Sequence, residues 1–154
     1  MLNRMNVSPN CAAITKQFES CQLEAYQDPI GKWTVGYGHT GPDVYAGLKI
    51  DQARADYLLM LDLQSAQNTV NNLVEPQINQ NQFDALCDFV FNVGAGNFKG
   101  STLLSLVNAK DFDAATKEFS KWNKAGGKVL PGLTKRRAAE AELFARTGNG
   151  QEKA

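Results

Sequence analysis

Residues 18–40 read FESCQLEAYQDPIGKWTVGYGHT, and the chain changes periodicity inside them. Upstream, Ser8-Pro9 places a capping hydroxyl before a proline, a helix start. Cys11, Ile14, Phe18 and Cys21 then recur at spacings of three, four and three, one apolar stripe. This predicts a helix over about 9–20 with Glu19 near its C-terminal end. Asp28-Pro29-Ile30-Gly31 is a type I turn signal, Pro second and Gly fourth. Strict alternation follows. Trp33, Val35, Tyr37 and His39 share one side of a strand and read as core-facing. Thr34, Gly36, Gly38 and Thr40 share the other, a floor nearly free of side chains on which a bulky ligand could lie.

Downstream the pattern is helical. From a capping Asp51 a segment without Gly or Pro carries Leu58, Leu61, Val70 and Leu73 to Glu75, one long connecting helix near 51–74. Asn79 and Gln82 form a capping-box pattern, and Phe83, Leu86, Val90 and Val93 continue to Gly94, the expected buried centre. A Gly-rich joint over 94–100 precedes a short helix from Ser101. Phe112, Ala115, Phe119 and Trp122 mark another helix, stopped by Gly126-Gly127. A basic helix spans about 134–146, and the polar tail 148–154 should fray. No repeat or low-complexity linker appears. The fold class expected is α+β and mostly helical, one domain over 1–154. A β-containing part at about 20–50 and a helical part at about 75–147 flank a cleft, joined by the long helix.

Composition narrows the function. With 43% hydrophobic and 21% charged residues, the 154-residue chain can bury a core without a metal or disulfide staple. Lys plus Arg and Asp plus Glu both total 16, so net charge points to no polyanionic partner and no nucleic acid. Ten of those basic residues, but only six of the acidic ones, fall in 110–154. Cys11, Cys21 and Cys87 are odd in number and lack metal-ligand spacing. On one helix, Cys11 and Cys21 would stand about 15 Å apart, too far for a disulfide. All three read as reduced thiols. His39 is the sole histidine, which excludes a multi-histidine metal site. No apolar run reaches the roughly 18 residues of a membrane span, and 1–10 is too short and polar for a signal-anchor segment.

Glycosidic-bond hydrolysis usually needs two carboxyl groups in unlike surroundings, one protonated and one ionised. Glu19, at a helix end beside Phe18, would gain its protonated form from partial burial. Asp28 sits at an exposed turn. Six residues on, the Thr34 hydroxyl could hold a water opposite Asp28. Spacing alone leaves open that both acids are structural.

Residues 18–40 resemble the active-site segment of the T4- and P22-like phage lysozymes, glycoside hydrolase family 24. The shared pattern is an acid, nine residues to Asp, six to Thr, then Gly-x-Gly-His, met here by Glu19, Asp28, Thr34, Gly36, Gly38 and His39. Residues 79–86 (NQNQFDAL) with 91–94 (FNVG) resemble the family's central helix, particularly in its lambdoid branch. Residues 130–144 resemble its last helix, so the resemblance covers about 12–147. It implies a lysozyme-like fold and an endolysin that hydrolyses the β-1,4 bond between N-acetylmuramic acid and N-acetylglucosamine in peptidoglycan. It makes Glu19 the general acid, with Asp28 and Thr34 placing and activating water by an inverting route. It implies substrate contacts at Gly38, Thr40, Phe91 and Asn92, and an arginine at Arg137 that approaches the glutamate. It implies no cofactor and no metal, a monomer without stable membrane insertion, and residence in the host cytoplasm until a holin gives access to the periplasm. A lytic transglycosylase would keep the glutamate but needs no positioned water, and a wall-binding module needs neither; Asp28 and Thr34 favour hydrolysis. The charge split adds an expectation that Lys135, Arg136 and Arg137 hold anionic polymers of the cell envelope.

Overall fold

In the computed structural model, which describes residues 3–146, Ser8 accepts a hydrogen bond from the Asn10 amide and starts α1 (Pro9–Phe18). Asp84 fixes that cap from another helix, accepting from the Ser8 amide at 2.9 Å and from its hydroxyl. Glu19 adopts extended backbone (φ −100, ψ 127), so α1 ends two residues earlier than expected and Cys21 leaves the helix. The tail expected to fray, 148–154, lies outside the described residues.

Strands β1 (Gln22–Gln27), β2 (Trp33–Gly36) and β3 (His39–Thr40) form an antiparallel sheet in that order. The single strand read over 33–40 is therefore corrected to a hairpin. Gly36 and Gly38 hold φ of +66 and +83, which side chains resist, and they reverse the chain so that Thr34 pairs with Thr40 and Val35 with His39. The glycine floor is corrected with it. A Cβ on Gly36 would sit 3.6 Å from Ala55 and Ile50, so this glycine packs inward, and Thr34 is buried too.

Asp51 caps α2 (Gln52–Leu73) through the Arg54 amide at 2.8 Å. The capping box of Asn79 and Gln82 opens α3 (Gln80–Val93), whose residues 82–90 are all buried. Burial on every side makes α3 the axle of the helical core. Around it run α4 (Ala95–Lys99), α5 (Thr102–Asn108, capped by Ser101) and α6 (Phe112–Glu118), which tightens into a 3-10 turn at Phe119–Lys121. Gly126-Gly127 does not stop that helix, which has already ended by Lys121; the two glycines instead turn a short hairpin, β4 (Lys124–Ala125) with β5 (Lys128–Val129). Helix α7 (Pro131–Ala145) begins three residues earlier than expected, because Pro131 takes the first helical position, where no amide donor is needed.

Two apolar clusters result. Leu59, Leu63, Phe83, Phe89, Phe98, Phe119 and Phe144 belong to the large one. Phe89 meets Phe98, Phe119 and Trp122 edge-on at 5.5–6.2 Å, contacts of about 0.5–1.5 kcal/mol each beyond burial. Val35, Val44 and Leu58 make a smaller cluster beneath the sheet, with Trp33 against it. Helix α2 supplies residues to both. Among the described residues no helix is long and apolar enough to cross a membrane.

Candidate active site

Between the two clusters lies a cleft of about 360 Å³, and Glu19 stands in its wall. Gly38 and Thr40 line it from the sheet, Phe91 and Asn92 from the end of α3, and Asp62, Ser65 and Thr69 from α2. The switch to extended backbone at Glu19, which ends α1, leaves its side chain in the lining of this space. Gly38 stays small for a reason. A Cβ there would stand 3.1 Å from Glu19 Oε1. A larger hollow of about 480 Å³, between Ile78, Gln82, Phe112 and Phe144, contains none of the expected site residues.

Glu19 is held from behind. Its Oε2 accepts from Arg136 Nη1 at 2.7 Å, while no protein donor reaches Oε1 among the described residues. Arg136 is aimed by Asp88, whose two oxygens accept from Nε at 3.0 Å and Nη2 at 2.8 Å. Thr15 adds a hydroxyl donor to Asp88 Oδ1 at 2.7 Å. Burial disfavours the Arg136 charge, but the hydrogen bonds and charges of Asp88 and Glu19 outweigh it and hold the guanidinium firmly protonated.

The arginine expected at Glu19 was Arg137, and this is a correction: Arg136 makes the contact. Successive residues on α7 point about 100° apart. Arg136 faces α1 and α3, whereas Arg137 turns onto the Phe89 ring at 5.1 Å and bonds Glu140 at 2.9 Å. Arg137 is only 1% exposed, so it cannot touch a sugar. The polymer-binding expectation falls as well, because Arg136 and Arg137 are both buried and only Lys135 of the three is exposed.

Asp28 and Thr34 are not in the lining of the cleft; they belong to the β1–β2 hairpin. The turn folds back on Asp28, whose Oδ1 accepts from the amides of Ile30 at 3.0 Å and Lys32 at 2.8 Å. No protein donor reaches its Oδ2 among the described residues. The Lys32 carbonyl accepts both the Asp28 amide at 2.9 Å and the Thr34 hydroxyl at 3.0 Å, so one carbonyl joins the two residues. Thr34 Oγ1, having spent its proton there, keeps lone pairs for a water.

His39 is largely buried and serves as a structural hydrogen-bonding residue that bridges two acids. Its Nδ1 meets Asp62 on α2 at 2.9 Å and its Nε2 meets Asp43 at 3.0 Å. Burial alone would lower its pKa, but the two carboxylates raise it above the ordinary value, favouring the imidazolium. All three cysteines are free, Cys11 and Cys87 buried. Among the described residues no cluster of His, Cys, Asp and Glu is placed to hold a metal ion.

Sequence reasoning missed Asp88 and Glu140. For Asp88, two acids at positions 84 and 88 within the otherwise apolar run 83–91 were the available signal, since charge in a buried face needs a partner.

The chain has relatives among known proteins. The family model for phage lysozyme matches residues 16–140. The chain is 45% identical over 142 residues to an endolysin of Bacillus phage B103, covering 91% of this chain but 54% of that protein. It therefore spans about half the length of that relative. It is 40% identical to the endolysin of Salmonella phage P22, covering 91% of this chain and 98% of that one. Among solved structures, the muramidase domain of SpmX from Asticaccaulis excentricus superposes with a TM-score of 0.87 at 37% identity, over 93% of this chain and 99% of that one. With the family model matched over residues 16–140 and a relative 40% identical covered almost end to end, the chain belongs to the phage lysozyme family.

Proposed function

We propose that this lysozyme-family glycoside hydrolase cuts the β-1,4 bond between N-acetylmuramic acid and N-acetylglucosamine, with Glu19 as general acid. The observation that carries this is the Glu19 carboxyl, fixed through Oε2 by Arg136 and open to the cleft through Oε1. In the reaction Glu19 gives its proton to the leaving glycosidic oxygen as the bond to the anomeric carbon breaks. Water attacks that carbon from the opposite face and loses a proton to Asp28 Oδ2, while Thr34 Oγ1 accepts a hydrogen bond from the same water. Gly38 and Thr40 bear on the sugar from one side, and Phe91 and Asn92 from the other. The chain works as a monomeric endolysin without cofactor or metal. It waits in the host cytoplasm until a holin admits it to the periplasm, where the wall is its one macromolecular partner. Its architecture follows the same division, a β-containing part at about 20–50 and a helical part at about 75–147.

Glu19→Gln keeps the shape and hydrogen bond to Arg136 but has no proton to give. It should abolish clearing of chloroform-treated Gram-negative cells while its circular dichroism and melting curve match wild type. Clearing at an undiminished rate by Glu19→Gln removes the general acid from the scheme. Product mass spectra should show reducing ends; 1,6-anhydro ends would instead mean the sugar's own hydroxyl had replaced water.

A further inference from the structure

Behind the cleft, three carboxyl groups meet two guanidiniums. Glu19 comes from the end of α1, Asp88 from α3, and Arg136, Arg137 and Glu140 from α7. The side chains of Asp88 and Glu140 are fully buried and those of both arginines nearly so; only Glu19 reaches solvent, at 23%. Were every group ionised, the cluster would carry one uncompensated negative charge out of water, a costly state.

The contacts say where the missing proton rests. Glu140 and Asp88 converge on the same nitrogen, Arg136 Nε, which lies 3.0 Å from Asp88 Oδ2 and 3.9 Å from Glu140 Oε2, and two buried carboxyls so placed disfavour ionising together. Asp88 has the better donors, the Arg136 fork and Thr15. Although burial works against it, its hydrogen bonds to Glu140 and Arg136 hold its carboxyl below the usual range. Burial, then the bond to Asp88, pushes Glu140 well up. Glu140 has fewer donors than Asp88: Arg137 Nη2 donates to its Oε2 at 2.9 Å, while Arg137 Nε, 2.8 Å from its Oε1, makes no aligned hydrogen bond.

We infer that Glu140 is a positioning residue for Glu19, acting through Arg136: the cluster keeps one proton among its three carboxyls, and Glu140 releases it when Glu19 becomes protonated. This rests on Glu19 being the general acid proposed above. Arg136 joins the two sites. Its Nη1 holds Glu19, and its Nε stands 3.9 Å from Glu140 Oε2. When Glu19 takes a proton from solvent, Arg136 loses an anion; Glu140 gives one proton up to bulk water in exchange, so the cluster still holds one proton and ionised Glu140 replaces the lost anion.

The other groups facing Glu140 leave this balance alone. From α1 comes the thiol of Cys11, which burial pushes up and keeps protonated. On α3, Asp84 is committed to Ser8 and Gln80.

The test is Glu140→Gln, which keeps the shape of the protonated side chain but cannot ionise. The alkaline limb of kcat/KM against pH, measured on purified peptidoglycan, should move about one unit toward acid, a roughly tenfold loss at fixed pH on that limb. Glu140→Asp should restore most of it. A merely structural role would lower the whole profile without moving the limb. A second measurement needs no variant. In carbon-13 carboxyl titrations of the wild-type chain, Glu19 and Glu140 should share their two midpoints, as coupled groups do. A Glu140 signal that stays flat while Glu19 titrates overturns the coupling, as does an unmoved limb together with an unmoved Glu19 titration in Glu140→Gln. A Glu19 titration that shifts in Glu140→Gln supports the coupling even if Glu19→Gln retains lysis, an outcome that would remove only the catalytic assignment.

Discussion

Replacing Arg136 by Met tests the anchoring of Glu19 most directly. Methionine keeps much of the hydrocarbon that the arginine stem packs, so the change removes chiefly charge and hydrogen bonds. Three charge-assisted bonds disappear, at 2.7, 2.8 and 3.0 Å. Two of them end on Asp88, whose side chain is wholly buried, and these count in full. The third ends on Glu19, 23% exposed, where solvent screens part of the loss. The Phe18 ring, 6.0 Å from the guanidinium, adds little at the edge of cation–π range. Removing one partner of a buried ion pair costs about 3–5 kcal/mol, because the other charge is stranded. At neutral pH we expect about 3–4 kcal/mol from urea unfolding followed by circular dichroism, or a melting temperature lower by about 10 °C.

The pH dependence carries the sign. Native Asp88 is held below the usual carboxylate range, so its stabilisation is present above the unfolded aspartate value, about 3.9. It is lost as pH falls through the lower folded value. In Arg136→Met the carboxyl escapes stranding by taking a proton, most cheaply in acid. The gap between variant and wild type should therefore shrink by at least half from pH 7 to pH 4.5. Lysis should fall on the order of 10–100-fold at a temperature where the variant is folded, since Glu19 loses its position. Arg136→Lys, with charge but no fork, should lie between. A cost below about 1 kcal/mol at pH 7, or a gap that does not narrow in acid, refutes the reasoning.

Two further outcomes follow from the sheet. His39 has a raised folded pKa, so its bond to Asp62 and Asp43 stabilises fully below the unfolded value of 6.5 and is lost as pH rises through the folded value. Melts from pH 5.5 to 9 should show wild type losing stability over that window relative to His39→Asn; parallel curves would mean the imidazole is uncharged throughout. Gly38→Ala puts a side chain at φ +83 and a Cβ 3.1 Å from Glu19 Oε1, whereas Gly126→Ala meets φ +58 with nothing within 4 Å. Both should lose about 1–2 kcal/mol to backbone strain, but only Gly38→Ala should also slow lysis, and equal lysis rates for the two would separate Gly38 from Glu19.

What could be read from sequence was local. The Ser8 cap on Asn10, the Asp51 cap, the Asn79–Gln82 box and the Asp28–Gly31 turn are each made by bonds between residues no more than four apart. Errors came where a local pattern fits two outcomes. Alternation over 33–40 suits one strand, and only the glycine φ values at 36 and 38 make it a hairpin. Adjacent arginines at 136 and 137 are equivalent on paper, and a rotation of one residue on α7 decides which reaches Glu19. Asp88 and Glu140 were out of reach for another reason. Arg136 bonds Asp88 across 48 positions and Glu19 across 117, and no short-range signal encodes such meetings.

The two halves of the proposed chemistry are mounted differently, and that difference bears on how pH acts. Glu19 is fixed to the helical core through Arg136 and Asp88, buried and short-bonded. Asp28 and Thr34 are fixed only to their own hairpin, by turn amides and the Lys32 carbonyl. The hairpin in turn rests on a small cluster, Val35, Val44 and Leu58, and on the His39–Asp62 bond to α2. In the proposed chemistry, alignment of Asp28 and Thr34 with Glu19 then depends partly on the His39–Asp62 bond, so loss of the His39 charge at alkaline pH should weaken the placement of Asp28. An alkaline limb set by Glu19 alone would be unchanged in His39→Asn, whereas one set by both would lose its steepest part.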